Sequence, residues 1–188
     1  EVSLTPDLEA ATFTGSVSIT VTAFKATEIV LNAIELDIHS AAINGLDVPF
    51  ELHEETERLI LTAPYELSDD SRITLTFSGI LNDKLRGWYR STFTDEFGRV
   101  RTIATSQMQS TDCRRAFPCF DEPDFKAVFA IDLTIKSELL AVSNSSETKR
   151  EVLANGLTRI WFADTMIMST YLVAFVVGPL EATETEMV

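Results

Sequence analysis

An apolar–polar alternation with a period of two is the feature that most constrains this chain. Val17, Ile19, Val21 and Ala23 alternate with Ser18, Thr20 and Thr22. Ile73, Leu75 and Phe77 alternate with Thr74, Thr76 and Ser78, and Phe129, Ile131, Leu133 and Ile135 with Ala130, Asp132 and Thr134. Successive strand side chains point to opposite faces of a sheet, so this pattern suits half-buried strands and not helices. Ile34, Leu36 and Ile38 are expected on one face of a further strand, with Glu35 and Asp37 on the other. Leu59–Thr62, Trp88–Thr94 and Arg99–Thr105 read as strands as well. Turn residues punctuate the pattern at Gly15, Asn44-Gly45, Pro64-Tyr65, Asp69-Asp70-Ser71, Asp95–Gly98 and Asn155-Gly156. Tyr171–Val177 is nearly all apolar and predicts a strand buried on both faces, stopped by Gly178-Pro179. Roughly ten to twelve short strands and no long amphipathic helix predict an all-β fold, a β-sandwich or open curved sheets.

One stretch breaks the pattern. Ser106–Ala127, SQMQSTDCRRAFPCFDEPDFKA, contains two glutamines, an arginine pair, both cysteines, two prolines and the acidic pair Asp121-Glu122. Irregular segments of this length inside a compact domain are usually functional or disordered. Met108, Phe117, Phe120 and Phe125 offer enough apolar surface to offset the entropy of ordering. The stretch therefore reads as an ordered, site-building loop.

The chain has 188 residues and a formal charge of −14. That charge disfavours nucleic acid and anionic membranes as partners and is compatible with cationic ligands, including peptides with a free amino terminus. No apolar run approaches the length of a membrane span. Two cysteines are too few for a disulfide framework, and the spacing of Cys113 and Cys119 matches no zinc pattern. It would permit a small closed loop in an oxidising compartment; the simpler expectation is two separately buried thiols. With no visible signal, these cysteines favour the cytoplasm, an anchor before residue 1 staying open.

Hydrolysis needs a nucleophile, a base or a metal in a usable arrangement. His39 and His53 are the only histidines. His53-Glu54-Glu55-Thr56 begins like a zinc-binding H-E-x-x-H, but Glu57 stands where the second histidine belongs, so the two-ligand helix face is missing. No serine sits in a nucleophile elbow. The expectation is that this chain alone carries no catalytic residue and no metal. Gln107 and Gln109 are more informative. Two apart on a strand, they would share a face with Met108 opposite, and each amide offers a carbonyl acceptor and two N–H donors. Acceptors of that kind suit an ammonium group, and the donors suit a peptide carbonyl. Arg114-Arg115 and Asp121-Glu122 are expected to form an ion-pair framework that fixes the loop, with arginine bidentate to carboxylate. Asn144-Ser145-Ser146 is a formal glycosylation sequon.

QMQSTDCRRAFPCFDEP resembles the signature of the amino-terminal domain of the aminopeptidase N and puromycin-sensitive aminopeptidase family, the zinc gluzincin aminopeptidases with their leukotriene A4 hydrolase relatives. Met168–Gly178 is similar to the family's closing strand of that domain, and Trp88-Tyr89-Arg90-Ser91 to its approach strand. The resemblance covers essentially the whole chain. It implies a saddle-like all-β domain over residues 1–180, packed against the enzyme's own catalytic domain, with the acidic tail 181–188 leading into it. It implies zinc in the full-length enzyme, held by an H-E-x-x-H motif and a further glutamate, beside a G-x-M-E-N substrate motif; none of these occurs in this sequence. Gln107 matches the family glutamine lining the first substrate subsite. Gln109 matches the position, glutamate in many members, that helps hold the substrate's free α-amino group. Cys113 departs from the common alanine. The resemblance also implies a cis peptide at Gln109–Ser110. The implied function is substrate positioning for removal of amino-terminal residues from peptides. A non-catalytic scaffold of the same fold is the alternative, and an epoxide-hydrolysing relative fits the FPCFDEP sequence less well.

Overall fold

The computed structural model describes residues 1–182. Fifteen strands follow one another among the described residues: β1 (Val2–Asp7), β2 (Thr12–Thr22), β3 (Ala26–Asn32), β4 (Leu36–Ile43), β5 (Leu46–Asp47), β6 (Phe50–His53), β7 (Arg58–Leu67), β8 (Asp70–Ile80), β9 (Gly87–Thr94), β10 (Val100–Gln107), β11 (Ile131–Lys136), β12 (Leu140–Ser143), β13 (Glu147–Val152), β14 (Leu157–Phe162) and β15 (Phe175–Gly178). Helical structure there is limited to four three-residue 3-10 turns. The fold is all-β.

The strands form three sheets. Eight run in the order β13-β14-β11-β1-β2-β8-β4-β5, four in the order β12-β15-β10-β9, and three in the order β3-β7-β6. β1 lies inside the large sheet, antiparallel to β2 and parallel to β11. β2 and β8 pair along their whole length, and Val17 faces Leu75 across the ladder. Val17, Ile73, Leu75 and Phe77 enter the core, as their alternation predicts. An aromatic chain then joins the layers: Phe13 of β2 lies 5.1 Å from Trp88 of β9, and Trp88 lies 5.6 Å from Phe175 of β15. Phe117, in the irregular loop, continues it at 6.4 Å from Phe175. Edge-to-face and tilted rings at these separations pack favourably beyond the area they bury.

Several elements differ from the expectation. Tyr171–Val177 is not one strand: Thr170–Leu172 makes a 3-10 turn, and β15 starts only at Phe175. Tyr171 and Leu172 remain partly exposed, so the apolar run is not buried on both faces. β4 begins at Leu36, because Glu35 adopts a left-handed backbone (φ 58°). β7 runs on to Leu67, past the expected break at Pro64; the register shift between Ala26 and Glu28 of β3 leaves 63–66 of β7 without paired positions, which accommodates the proline. β13, exposed at every position, has no apolar face for a period to mark. Residues 183–188 of the expected linker lie outside the described residues.

Candidate functional site

The loop that follows β10 is ordered from within. Gln107 ends β10, opposite Gly87 at the start of β9. Met108 turns into the core at 2% exposure, while Gln107 and Gln109 on either side are exposed. The chain leaves the sheet at this point, so the two glutamines alternate with Met108 in burial although Gln109 lies in a turn and not on a strand. The Gln109–Ser110 peptide bond is cis, as the resemblance implies. Neither carboxamide hydrogen-bonds to another described residue. Asp112 N–H donates to Met108 C=O (2.9 Å), closing the turn that carries Gln109.

An arginine framework underlies this turn. Arg114 Nε donates to Asp121 Oδ2 and Arg114 Nη1 to Glu57 Oε2, each over 2.9 Å. The other Asp121 oxygen accepts from the Thr170 hydroxyl (2.6 Å), and Asp121 N–H donates to Asn32 Oδ1 (3.1 Å). Arg115 Nε donates to Asp112 Oδ1 (2.7 Å), and Arg115 Nη1 lies 2.9 Å from Glu35 Oε2. Burial opposes the charge on Arg114, but Asp121 and Glu57 outweigh it and hold its pKa above the ordinary arginine value. Charge-assisted bonds between withdrawn groups are the strong ones. Gly87 makes room: it takes φ +66°, and a Cβ there would stand 2.7 Å from Arg115 Cβ.

The framework exists, as the sequence leads one to expect, but its partners differ. Asp121 is used and Glu122 is exposed outside the framework. Neither Arg114 nor Arg115 clasps one carboxylate in parallel; Arg114 instead spans two. Glu35, Glu57, Asn32 and Thr170 come from remote parts of the chain, and no sequence spacing marks them. Glu57 is the residue that spoils the H-E-x-x-H pattern; here it meets both arginines, at 2.9 Å and 3.6 Å. His53 ends β6 beside Glu51 (3.4 Å), and exposed His39 pairs with Ser78 (3.0 Å). The two histidines join no ligand cluster among the described residues.

Cys113, Cys119 and Asp121 are all buried, with their sulfur and carboxylate atoms within 4.8 Å of one another. The thiols are therefore adjacent and not separate, because the 3-10 turn at Cys113–Arg115 folds the loop back on itself. Both are free. Burial first, and Cys119 next, push the Cys113 thiol well above its ordinary pKa. A catalytic zinc does not fit these residues: both Asp121 oxygens are already bound, and burial holds the Cys113 thiol in its protonated form. No helix among the described residues is long and apolar enough to cross a membrane.

Comparison with known proteins assigns this arrangement to a family. The model of the peptidase M1 N-terminal domain matches residues 1–172. The chain is 38% identical over 192 residues to the alanine/arginine aminopeptidase of Saccharomyces cerevisiae, covering 98% of this chain and 22% of that protein. It is 40% identical over 190 residues to aminopeptidase M1-C of Oryza sativa subsp. japonica, covering 98% and 21%. With aminopeptidase M1 of Arabidopsis thaliana it shares 39% identity over 195 residues, covering 98% and 22%. The chain thus spans about a fifth of the length of these curated relatives. On the match over residues 1–172, the chain belongs to the peptidase M1 N-terminal domain family.

Proposed function

We propose that this domain positions peptides by their free amino terminus in a full-length zinc aminopeptidase that removes amino-terminal residues. The observation that carries the reading is the pair of exposed carboxamides, Gln107 and Gln109, held on either side of the buried Met108 above the Arg114–Asp121 framework. A site group works best when its backbone is fixed and its hydrogen-bonding atoms are unspent. The Gln109 carbonyl would accept from the substrate ammonium, an interaction of about 1.5–3 kcal/mol when one partner is charged. Gln107 would line the first subsite. The formal charge of −14 would favour approach of a cationic chain end. The zinc would be bound by parts of the enzyme outside this chain, with the catalytic domain packed on this one. Free buried cysteines suit a reducing compartment, which supports the cytoplasm.

The test is steady-state kinetics of Gln107→Ala and Gln109→Ala in the full-length protein, on peptides with free and with acetylated amino termini. The expected result is a loss of kcat/KM of about tenfold to a hundredfold on free termini. Unchanged kinetics on several substrates would remove the glutamines from the reading. A full-length protein with neither zinc nor peptidase activity would favour the scaffold instead.

A further inference from the structure

We propose that Cys119 and Cys113 form a reversible oxidation site, in which Cys119 reacts with a peroxide and Cys113 closes an intramolecular disulfide. The inference starts from geometry. The two sulfurs lie within 4.8 Å of each other although neither cysteine belongs to a strand. Cys119 is held by paired backbone bonds with Asn32, Cys119 N–H to Asn32 C=O (3.1 Å) and Asn32 N–H to Cys119 C=O (2.7 Å). Cys113 starts the 3-10 turn that Ala116 and Phe117 close with N–H bonds to its carbonyl. Closing the bond draws the sulfurs from this separation to about 2.05 Å.

The thiols differ in access. Cys119 lines a cleft of about 730 Å³ together with Phe120, Phe125, Lys126 and Thr170, whereas Cys113 does not line it and is fully buried. A small oxidant entering the cleft meets Cys119 first. That order assigns Cys119 as the residue attacked and Cys113 as the one that resolves the product. The product also suits the site. A disulfide is neutral, as two thiols are, so closing it introduces no charge beside the Arg114–Asp121 pair. A cation would need both thiols ionised, against the burial that holds Cys113 protonated, and would find Asp121 already engaged.

The chemistry balances with hydrogen peroxide as oxidant. Cys119 sulfur attacks one peroxide oxygen; the O–O bond breaks, a sulfenic acid forms, and the departing hydroxide takes the thiol proton and leaves as water. Cys113 sulfur then attacks Cys119 sulfur; the S–O bond breaks and a second water leaves. Two thiols lose two electrons in total, and the peroxide is reduced to two waters.

Trypsin makes the test direct, because it cleaves after Arg114 and Arg115, between the cysteines. The full-length protein is treated with hydrogen peroxide under native conditions, the remaining thiols are alkylated, and the digest is analysed by mass. The expected product is Thr102–Arg114 joined to Ala116–Lys126, lighter by two hydrogens than the sum of the reduced peptides and separated by dithiothreitol. In Cys113→Ser, Cys119 is expected to accumulate a sulfenic acid that dimedone traps. In Cys119→Ser, oxidation of Cys113 is expected to slow by about tenfold or more, its thiol being inaccessible. Recovery of both wild-type peptides alkylated, or a link that forms only after unfolding in urea, would overturn the proposal. The wild-type digest decides this even where a variant fails to fold.

Discussion

Arg114 Nε meets Asp121 Oδ2 at 2.9 Å, with the aspartate side chain 1% exposed and the arginine 10%. Removing one partner of such a pair strands a charge away from water, which costs more than the pair contributes when intact. Asp121→Ala is therefore expected to lower unfolding stability by about 3 kcal/mol, the low end of the range for buried pairs because Glu57 still contacts Arg114. The neighbouring Glu122→Ala, at an exposed position, is expected to stay within about 0.5 kcal/mol of wild type. Urea midpoints of the two variants check the contrast. Equal losses would mean that the acidic pair acts as a unit.

Gly87 sets how closely β9 approaches the framework. Gly87→Ala requires a left-handed alanine whose Cβ stands 2.7 Å from Arg115 Cβ. Both effects oppose it, and a loss of about 1–3 kcal/mol is expected. Thermal unfolding measures it, with Gly98→Ala as the control, since Gly98 has the same sign of φ and open space around its Cβ direction. A larger loss at Gly98 would contradict the steric account.

Cys113 gives the domain an alkaline dependence. Its pKa is raised in the folded state above the ordinary 9.0, mainly by burial. The unfolded chain therefore releases this proton at lower pH than the folded one. The stabilisation is complete below about pH 8, somewhat under the unfolded-state value, and is lost progressively as pH rises through the folded-state value. Wild type is expected to lose more stability between pH 8 and pH 10 than Cys113→Ala, as urea titrations at each pH would show. Parallel curves would mean that the thiol ionises equally in both states.

Asn144, the first residue of the sequon, is committed at both ends. Its Nδ2 donates to Leu172 C=O (2.7 Å) and its Oδ1 accepts from Ala174 N–H (2.8 Å). Attaching a glycan at Nδ2 interferes with the first bond. Expressed through a secretory pathway, the folded domain is expected to carry little glycan at Asn144, read from intact mass. Asn144→Ala is expected to destabilise by about 1–3 kcal/mol, since the strap before β15 loses both bonds. Full occupancy without loss of stability would contradict this role.

The sheets were legible where one face is buried. Val17, Ile73, Leu75 and Phe77 reach the core in the predicted alternation, and Asn44 and Asn155 take the left-handed turn conformation their Asn-Gly pairs suggest. β13 was not legible, because a strand exposed on both faces has no apolar period. Tyr171–Val177 misled because a continuous apolar run has no phase, and the turn at Thr170 is set by Asp121 and Asn144 reaching this segment from elsewhere in the chain. The irregular loop announced itself by composition, and its partners did not. Glu57 contacts Arg114 only because the exposed 3-10 turn after His53 brings it there, a consequence of tertiary packing that local sequence cannot encode.

The parallel register of β1 with β11, Val2 beside Ile131, bears on the order in which the chain assembles. Strands β1, β2, β8, β4 and β5 have all been synthesised once Ile80 is made, and they form one contiguous half of the large sheet. The outer edge of β1 nevertheless has no partner until Ile131–Lys136 emerges. Unpaired edges template pairing with other chains, and contacts so distant in sequence form slowly. The interval between Ile80 and Ile131 is occupied by the β9–β10 hairpin and the arginine loop. The edge of β1 thus stays open while the site-building segment is being made; β11 then covers it and passes the open edge to its own far side, which β14 pairs once Leu157–Phe162 emerges.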